Sequence, residues 1–473
     1  MGESHFRELK TSSVIIILTD LIVLTAIFLI NATIFSNYYN SSNIDDLLAT
    51  NDIFHTFIIQ LLVIAPVVLL SVFAVGLYNE KLRETFNGII VRILVSITSA
   101  YLITIIIFKV TVIKDLPGYF NEVYFFSIFA LFVLSRFIIS KTQFKQIGSR
   151  RVLVLGAGKR ATIIEKSMRR QADRVGIKFI GFVAMPGDCS EDGLKRETII
   201  ELDESLEIFA TKNNVAEIVI ASDERRNVLP NQKLFKCKQL GIRVTDIIDF
   251  VEKETGQVAV NHIYPSWMIY SKRTTTNTAQ LIFEWAFNCA LALFIFSLTF
   301  PLMIITVIAI KLEEGLKAPI IYSQKRTGLN GKLFDIYKFR SMRTDAEQNG
   351  AQWAVKQDPR TTKVGNFIRK YRVDELPQLY NVIKGDMGFV GPRPERPQFS
   401  DDFETSIPYY NHRLNVKPGL TGWAQLKYPY GSSQEDALEK LKYDLYYIKN
   451  RAFLFDLLIL LRTAEIILFG KGR

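Results

Sequence analysis

The sequence predicts a membrane protein of the α plus α/β class: a four-helix transmembrane bundle, a parallel α/β domain, and a mostly helical domain with a re-entrant membrane helix hairpin. Hydrophobic residues make up 49% of the 473-residue chain, which is high for a soluble protein. Most of this excess lies in four apolar stretches near the N-terminus and in a fifth one further along. Between them, short apolar runs alternate with helical patterns. We therefore expect domains at 1–147, 148–265 and 266–473.

The four N-terminal stretches are predicted to be transmembrane helices. Each is close to the roughly 20 apolar residues that cross the hydrocarbon core of a bilayer as a helix. Buried core helices of a soluble domain would need polar faces, which these segments lack. The stretches are 13–35, 53–78, 88–108 and 123–140.

Asp20 lies in the middle of the first stretch, where a carboxylate is costly. Such a residue is by default a candidate functional site. The alternative, a hydrogen bond to a neighbouring helix, is the interpretation that we favour.

The short loops predict the orientation of the bundle through their Lys and Arg content. Arg7 and Lys10 lie in the N-terminal tail, and further basic residues follow the second and fourth stretches, whereas the 36–52 loop has none. Both ends of the bundle should therefore face the cytoplasm. Three scattered cysteines suit a reducing compartment and show no metal-binding spacing.

The middle segment has the βαβ rhythm of a doubly wound parallel sheet, with predicted strands in RVLVLGAG, IKFIGFV, AEIVIAS and IRVTDII. A Gly156-Ala157-Gly158 turn after the first strand matches the dinucleotide-binding fingerprint, with Ala161 in its last place. No acidic residue closes the second strand, since Asp188 comes well past the ribose contact, and residues 151–263 contain no Tyr. We expect a Rossmann-like, non-catalytic domain, with a working dinucleotide site as the alternative.

The fifth apolar stretch, 280–312, is long enough to cross a bilayer, but we expect it to re-enter on the same side. Basic residues flank it on both sides, and Lys and Arg next to a membrane segment predict that the flank lies in the cytoplasm. Both flanks are therefore predicted to be cytoplasmic. Pro301 in its middle removes a backbone donor and kinks a helix. A plain fifth span remains the alternative.

An acidic pair, Asp374 and Glu375, forms a second candidate functional site. A helix is predicted from Asp374 to Gly385, and neighbouring residues on a helix point about 100° apart, so Asp374 and Glu375 should have different roles. The two acids could simply complement the helix dipole. Their basic surroundings instead favour a site for phosphates, with a carboxylate that holds Mg²⁺ or attacks phosphorus. The basic residues are Lys338, Arg340, Arg343, Arg360, Arg369, Lys370, Arg372, Arg393, Arg396 and Arg413.

The motifs around this pair resemble a known family. They are, in order, YKFRSM, DPRTTKVGNFIRK, DELPQLYNVIKGDMGFVGPRPERP, VKPGLTGWAQ and YDLYYIKNRAFLFDLLILLRT. In order and spacing they are similar to the bacterial sugar transferases, the monotopic polyprenyl-phosphate phosphoglycosyl transferases. The whole chain resembles their long form, the undecaprenyl-phosphate glucose or galactose phosphotransferases. One departure is Phe300 before the hairpin proline, where the family usually has Ser.

This resemblance implies an enzyme that transfers a hexose 1-phosphate from a UDP-sugar to undecaprenyl phosphate and releases UMP, the initiating step of exopolysaccharide, capsule or O-antigen assembly. Asp374 would be the nucleophile that forms a phosphosugar-aspartyl intermediate and a ligand of Mg²⁺, the expected cofactor. Glu375 would assist the metal or the lipid phosphate. The residues expected to bind substrate are Lys338, Arg340, Arg360, Arg393, Arg413, Asp444 and Asp456.

The resemblance also implies a location and partners. We expect a multi-pass protein of the bacterial inner membrane with its catalytic domain on the cytoplasmic face, and no nucleic acid partner. Glucose or galactose is the favoured sugar, and a homodimer is one hypothesis for the oligomeric state. Two other functions stay open: a membrane-anchored NAD-dependent nucleotide-sugar dehydratase or epimerase that uses the Gly156 loop, and a non-enzymatic scaffold of polysaccharide assembly.

Overall fold

The computed structural model divides the chain into two compact units, Met1–Thr255 and Gly256–Arg473. It describes residues 11–40, 49–78, 86–111, 120–141, 150–168, 174, 176–188, 194, 198–202, 204–224, 229–260, 278–343, 358–428, 431 and 433–468. The second unit already includes Val258 and Val260, which pack in its core. The division into three domains stays a prediction.

The first unit begins with four long helices where the sequence predicts them: α1 (Thr11–Asn40), α2 (Ala49–Ala74), α3 (Phe86–Thr111) and α4 (Phe120–Lys141). Segments of α1, α3 and α4 are long and apolar enough to cross a membrane, and α2 contains a shorter apolar segment, Ile58–Ala74. The chain is therefore a membrane protein. The basic residues of the tail and most of those between the helices lie outside the described residues.

Asp20 is paired inside the bundle. Its carboxylate is 1% exposed and accepts hydrogen bonds from Arg136 Nη1 at 3.1 Å, Arg136 Nη2 at 2.5 Å and the Tyr78 hydroxyl at 2.9 Å. Arg136 comes from α4, so the ion pair joins the first and fourth helices. The structure thus gives Asp20 the helix-to-helix hydrogen bonds that we favoured over a functional site.

A five-stranded parallel sheet follows in the first unit. Its strands are β1 (Arg150–Leu155), β2 (Ile177–Val183), β3 (Ile199–Ile200), β4 (Glu217–Ile220) and β5 (Arg243–Asp246), in the order β3-β2-β1-β4-β5. The pairs β1 with β2, β1 with β4, β2 with β3 and β4 with β5 are all parallel. The predicted parallel sheet is confirmed.

Helices cover both faces of this sheet because alternate residues of β1 point to opposite sides. Val152 and Val154 pack with α5 (Thr162–Ser167) and α8 (Ile247–Thr255), whereas Leu153 and Leu155 pack with α6 (Leu206–Lys212) and α7 (Asn231–Gln239). Such an apolar run without polar alternation is typical of a strand that is buried on both faces.

The second unit is mostly helical, as predicted, but it also contains strands. A long helix, α9 (Thr278–Glu314), precedes the antiparallel hairpin β6 (Ile321–Thr327) and β7 (Leu333–Phe339). Two short strands, β8 (Gly388–Val390) and β9 (Gly419–Thr421), pair in parallel. The remaining described helices are α10 (Lys363–Lys370), α11 (Leu379–Lys384), α12 (Pro397–Ser406), α13 (Trp423–Lys427), α14 (Gln434–Lys449) and α15 (Phe453–Leu468), with 3-10 helices at Leu329–Gly331, Val373–Gln378 and Tyr410–Asn415.

Helix α9 is continuous, contains Pro301, and carries the apolar stretch long enough to cross a membrane. Its two ends are both attached to the second unit. Near its start, Glu284 pairs with Arg451 at 2.6 Å. At its end, the Glu313 carboxylate accepts hydrogen bonds from the backbone N–H groups of Lys363 and Val364, each at 2.8 Å. The structure shows one helix here rather than two. It therefore does not confirm the re-entrant hairpin, which stays a prediction.

Helix α15 packs on the same unit. Ile459 is fully buried, and Phe455 contacts the rings of Trp423 and Tyr446. The Thr463 hydroxyl lies 2.6 Å from that of Thr421 in β9. This apolar C-terminal segment is therefore part of the core of the second unit.

Candidate active site

The acidic pair lies in a 3-10 helix, Val373–Gln378, that leads directly into α11. An α-helix from Asp374 was predicted, so the first turn of that prediction is wrong, whereas the end at Gly385, which has a φ of 86°, is confirmed. Pro377 is part of the reason, because in an α-helix the ring of a proline clashes with the carbonyl of residue i−4. Consecutive side chains on a 3-10 helix are about 120° apart, so the two acids still point in different directions.

The turn is held by apolar contacts on both sides. Val373 packs with Ile310 of α9 and Phe339 of β7, and Leu376 packs against the same cluster. Arg372, just before the turn, has a left-handed φ of 59°, which is uncommon for a residue other than Gly. As a result, Asp374 and Glu375 are both 7% exposed.

Glu375 is surrounded by cations. Its Oε1 accepts hydrogen bonds from Lys338 Nζ at 2.9 Å, Arg393 Nη2 at 2.9 Å and Arg372 Nη1 at 3.4 Å. Lys338 comes from β7, and Arg393 comes from the loop after β8. Three separate segments of the chain thus converge on one carboxylate.

The two acids have opposite electrostatic surroundings. Burial alone would raise the pKa of Glu375, but the charges of Lys338, Arg393 and Arg372 hold it well below the usual range. Burial raises the pKa of Asp374, and the adjacent charge of Glu375 raises it further. Glu375 is therefore a fixed anion that organises the cations, whereas Asp374 is a buried carboxylate with a raised proton affinity.

Asp374 retains hydrogen-bonding capacity. Among the described residues, its buried Oδ1 has no hydrogen-bond partner. A buried acceptor without a partner is costly and calls for an explanation, such as a ligand or ion. Asp374 is therefore the carboxylate of the pair that keeps a buried oxygen free for a ligand.

The arrangement offers a Mg²⁺ ion a carboxylate ligand but no complete set of protein ligands among the described residues. The described part of the chain contains no group of three or more His, Cys, Asp or Glu side chains that could hold a metal by itself. Mg²⁺ in phosphate-binding sites, however, often takes one or two carboxylates and completes its shell with water and substrate phosphates. The free oxygen of Asp374 fits that donor set.

The loop that presents Arg393 is held by its backbone carbonyls. The carbonyl of Arg393 accepts from Arg413 Nη2 at 2.8 Å, and that of Pro394 accepts from Arg326 Nη1 at 3.1 Å. The next carbonyl, of Glu395, accepts from the Thr327 N–H at 3.0 Å. Residues of β6 and of the 3-10 helix Tyr410–Asn415 thus fix the position of the loop.

Arg413 is itself buried, at 7% exposed, and paired with Asp444. Its Nη2 lies 3.0 Å from Asp444 Oδ2, and its Nη1 donates to the Tyr410 hydroxyl at 2.6 Å. Burial raises the pKa of Asp444 to about 6, against the opposing charge of Arg413. These two predicted site residues lie behind the Arg393 loop and support it.

Three further predicted residues have protein partners away from the acidic pair. Arg340 Nε donates to the carbonyl of Pro319 at 3.0 Å, and Arg360 makes a two-pronged ion pair with Asp358. Asp456 accepts from the Tyr447 hydroxyl at 2.8 Å. Of the predicted residues, the structure brings Asp374, Glu375, Lys338 and Arg393 together, and the substrate-binding role of the others stays a prediction.

Sequence reasoning missed three residues of this site. Arg372 was part of the basic run but was not assigned a role, although its position next to the acids was a usable signal. Arg326 and Tyr410 act through contacts with segments that are distant in sequence. No local pattern marks them.

The glycine-rich turn of the first unit uses its backbone donors internally. The N–H of Ala157 donates to Asp188 Oδ2 at 2.8 Å, and those of Lys159 and Arg160 donate to the Asp223 carboxylate at 2.8 and 2.7 Å. In a dinucleotide-binding turn, such donors face a pyrophosphate. Here carboxylates of the chain itself take that position.

Comparison with known proteins matches the part of the chain that contains the acidic pair. The family model described as bacterial sugar transferase matches residues 279–470, which include all the residues around the acidic pair. The uncharacterized sugar transferase EpsL of Bacillus subtilis (strain 168) is 36% identical over 196 residues, which cover 41% of this chain and 90% of EpsL.

Two named transferases match more of the chain. The UDP-N-acetylgalactosamine-undecaprenyl-phosphate N-acetylgalactosaminephosphotransferase of Aeromonas hydrophila is 39% identical over 50% of this chain and 55% of its own length. The undecaprenyl-phosphate glucose phosphotransferase of Komagataeibacter xylinus is 26% identical over 68% of this chain and 60% of its own. The chain thus spans less than two thirds of these relatives, and their names differ in the sugar.

Proposed function

Because this chain belongs to the bacterial sugar transferase family in its long form, we propose that it transfers a sugar 1-phosphate from a UDP-sugar to undecaprenyl phosphate and releases UMP. One observation supports this most directly. A buried carboxylate with a free oxygen, Asp374, lies beside a second carboxylate, Glu375, that holds three cations. The names of the Aeromonas hydrophila and Komagataeibacter xylinus relatives give undecaprenyl phosphate as their acceptor.

In the first step, a carboxylate oxygen of Asp374 attacks the sugar-proximal phosphorus of the donor. A bond between this oxygen and phosphorus forms, and the bond from phosphorus to the bridging oxygen breaks, so that UMP leaves with the bonding electrons. The sugar phosphate is then an acyl phosphate on Asp374. Covalent catalysis of this kind divides one difficult displacement into two easier ones.

In the second step, an oxygen of the lipid phosphate attacks the same phosphorus. The bond to Asp374 breaks, the carboxylate is regenerated, and the product is a lipid diphosphate sugar. Two displacements at one carboxylate predict ping-pong kinetics.

The cations around Glu375 have the role of binding and charge neutralisation. Lys338, Arg372 and Arg393 meet at Glu375 Oε1. Their other N–H groups would bind the phosphate oxygens of the donor. Preorganised donors of this kind stabilise the charge that develops on phosphorus and on the leaving nucleotide. Glu375 keeps them together before substrate arrives.

We also propose Mg²⁺ as the cofactor, held by Asp374 and the phosphates of the donor. When bound, Mg²⁺ supplies charge neutralisation at the diphosphate. Lys338 and Arg393 would orient the donor by binding its phosphates.

The attachment of both ends of α9 to one unit supports a re-entrant rather than a spanning segment. A helix that crossed a bilayer would place Glu284 and Glu313 on opposite sides, yet both bond to the same unit. Between them the helix is exposed and apolar, with Phe294 at 64% and Leu298 at 71% exposure. We propose that this part dips into the inner membrane and that the unit lies on the cytoplasmic face.

The test of the function is nucleotide release with purified protein, Mg²⁺ and undecaprenyl phosphate. UDP-glucose, UDP-galactose and UDP-N-acetylgalactosamine serve as donors. We expect UMP from at least one donor with the wild type and none with Asp374→Asn, whereas Asp401→Asn, which changes an exposed carboxylate of α12, should behave as wild type. Release of UDP would mean glycosyl transfer and a different mechanism.

The test of the membrane arrangement is cysteine labelling in whole and permeabilised cells. In a chain with Cys189, Cys237 and Cys289 replaced by Ser, the variants Gln280→Cys and Leu316→Cys place one thiol at each end of α9. Labelling of both only after permeabilisation is the expected result. Labelling of one of them in whole cells would show that α9 spans the membrane.

A further inference from the structure

An apolar cavity of about 490 Å³ lies beside the acidic pair in the second unit. One wall comes from α9 on both sides of Pro301, through Leu293, Phe296 and Met303. The other wall comes from the segment that follows the acids, through Leu376, Pro377 and Leu379. Its volume is in the range of ligand-binding pockets.

The 3-10 helix connects this cavity to Asp374. In such a helix the side chains at positions i and i+3 eclipse each other, and three residues advance about 6 Å along the axis. Asp374 therefore lies above Pro377, which lines the cavity. A ligand in the cavity would reach the acid within one helical turn.

The other side of the cavity opens toward the apolar surface of α9. Leu293 is 57% exposed, and Phe296 is 40% exposed, so the wall is not closed over. In the proposed arrangement this surface of α9 lies in the hydrocarbon of the bilayer. The cavity thus has the apolar surface of α9 on one side and, on the other, the turn that carries Asp374 and Glu375.

We propose that this cavity binds the phosphate-proximal isoprene units of the lipid acceptor. This inference rests on the proposed function and specifies where the acceptor enters. A prenyl phosphate has the required chemistry: its apolar chain matches the lining, and its phosphate meets Lys338 and Arg393 next to Asp374. A chain anchored here presents the phosphate oxygen to the phosphosugar, as proximity catalysis requires.

The first experiment separates the two half-reactions. Leu293→Trp places a larger ring in the cavity, and Leu298→Trp on the same helix is the control, because Leu298 does not line it. UMP release without acceptor should be the same in both variants and the wild type. The KM for undecaprenyl phosphate should rise about tenfold in Leu293→Trp, equivalent to ~1.4 kcal/mol of lost binding. The KM for geranyl phosphate, which retains the two phosphate-proximal isoprene units, should rise by a similar factor.

The outcomes distinguish this inference from the proposed function. Equal acceptor KM values for the two Trp variants, with normal UMP release, would overturn the cavity assignment and leave the function intact. Absence of UMP release from the wild type would overturn the function itself.

A second experiment uses the unmodified protein and does not depend on catalysis. Undecaprenyl phosphate with a photoreactive group near its phosphate end is crosslinked to the protein in bilayer nanodiscs, and the labelled peptides are identified. Label on Phe296, Met303 or Leu379, displaced by excess undecaprenyl phosphate but not by phospholipid, is the expected result. Label confined to Phe294 and Leu298, or displaced equally by phospholipid, would show an unspecific lipid contact and contradict the inference.

Discussion

Asp374 and Glu375 are neighbours in the chain, but their surroundings give them opposite properties. Three cations hold the Glu375 carboxylate in its charged form, while burial raises the pKa of Asp374 and leaves its Oδ1 without a partner among the described residues. In the proposed mechanism, one carboxylate binds cations permanently so that the other is free to react. Adjacent carboxylates whose pKa values are driven apart in this way commonly divide the work of a site.

The support of the Arg393 loop leads to a prediction about stability. Arg413→Met should destabilise the second unit by about 3–5 kcal/mol, because it leaves the carboxylate of Asp444 buried without its cation. The double variant Arg413→Met with Asp444→Asn should recover much of this loss. Thermal unfolding of the purified protein measures both.

Lys212→Met provides the matched control, since Lys212 pairs with Glu204 at the surface. Its unfolding midpoint should stay close to that of the wild type. If Arg413→Met were no less stable than Lys212→Met, the buried pair would not be what holds the loop.

At the level of elements, the turn between β1 and α5 depends on one glycine. A Cβ atom added at Gly156 would lie 2.3 Å from the carbonyl carbon of Ala221, and the φ of Gly156 is +126°. The turn therefore brings two strands into close backbone contact. The fingerprint glycine has this structural role whether or not a nucleotide binds.

Gly156→Ala should destabilise the first unit strongly, whereas Gly241→Ala should cost only about 1–2 kcal/mol. Gly241 also has a positive φ, +84°, but an added Cβ would meet nothing within 4 Å, so only the backbone conformation is penalised. Thermal unfolding and limited proteolysis of the two variants measure the difference. Equal effects would show that the close contact with Ala221 is not what the glycine provides.

The junction of α14 and α15 gives a prediction about pH. Burial raises the pKa of Asp456 to about 6, whereas its pKa in the unfolded chain is near 4. Between these two pH values the folded chain keeps a proton on Asp456 that the unfolded chain has lost. The contribution of Asp456 to the free energy of unfolding is therefore most favourable at low pH. It is lost as the pH rises through 6, by up to ~3 kcal/mol.

Asp456→Asn removes this penalty while its amide oxygen can still accept from Tyr447. The variant should unfold at a higher temperature than the wild type at pH 8, and the difference should shrink toward pH 5. A lower midpoint for the variant at pH 8 would show that the nearby charge of Arg451 makes the ionised carboxylate stabilising.

For the whole molecule, the parts that were predictable are those with a local pattern. The membrane helices follow from apolar length, the parallel sheet from alternation of strand and helix patterns, and Asp374 and Glu375 from motif and charge. The 3-10 start of the acidic turn, the β6 and β7 hairpin and the pairing of Arg413 with Asp444 were not predicted. They depend on contacts between residues that are distant in the chain, and sequence periodicity carries no such information.

The central claim is the covalent intermediate on Asp374, and trapping it is the most direct measurement. Wild-type protein is incubated with labelled UDP-sugar and Mg²⁺ but no acceptor, quenched in acid, and digested for mass spectrometry. The mass of one sugar phosphate on the peptide that contains Asp374, lost on addition of undecaprenyl phosphate and absent in Asp374→Asn, is the predicted result. Label on another residue, or UMP release that requires acceptor and leaves no label, would contradict it.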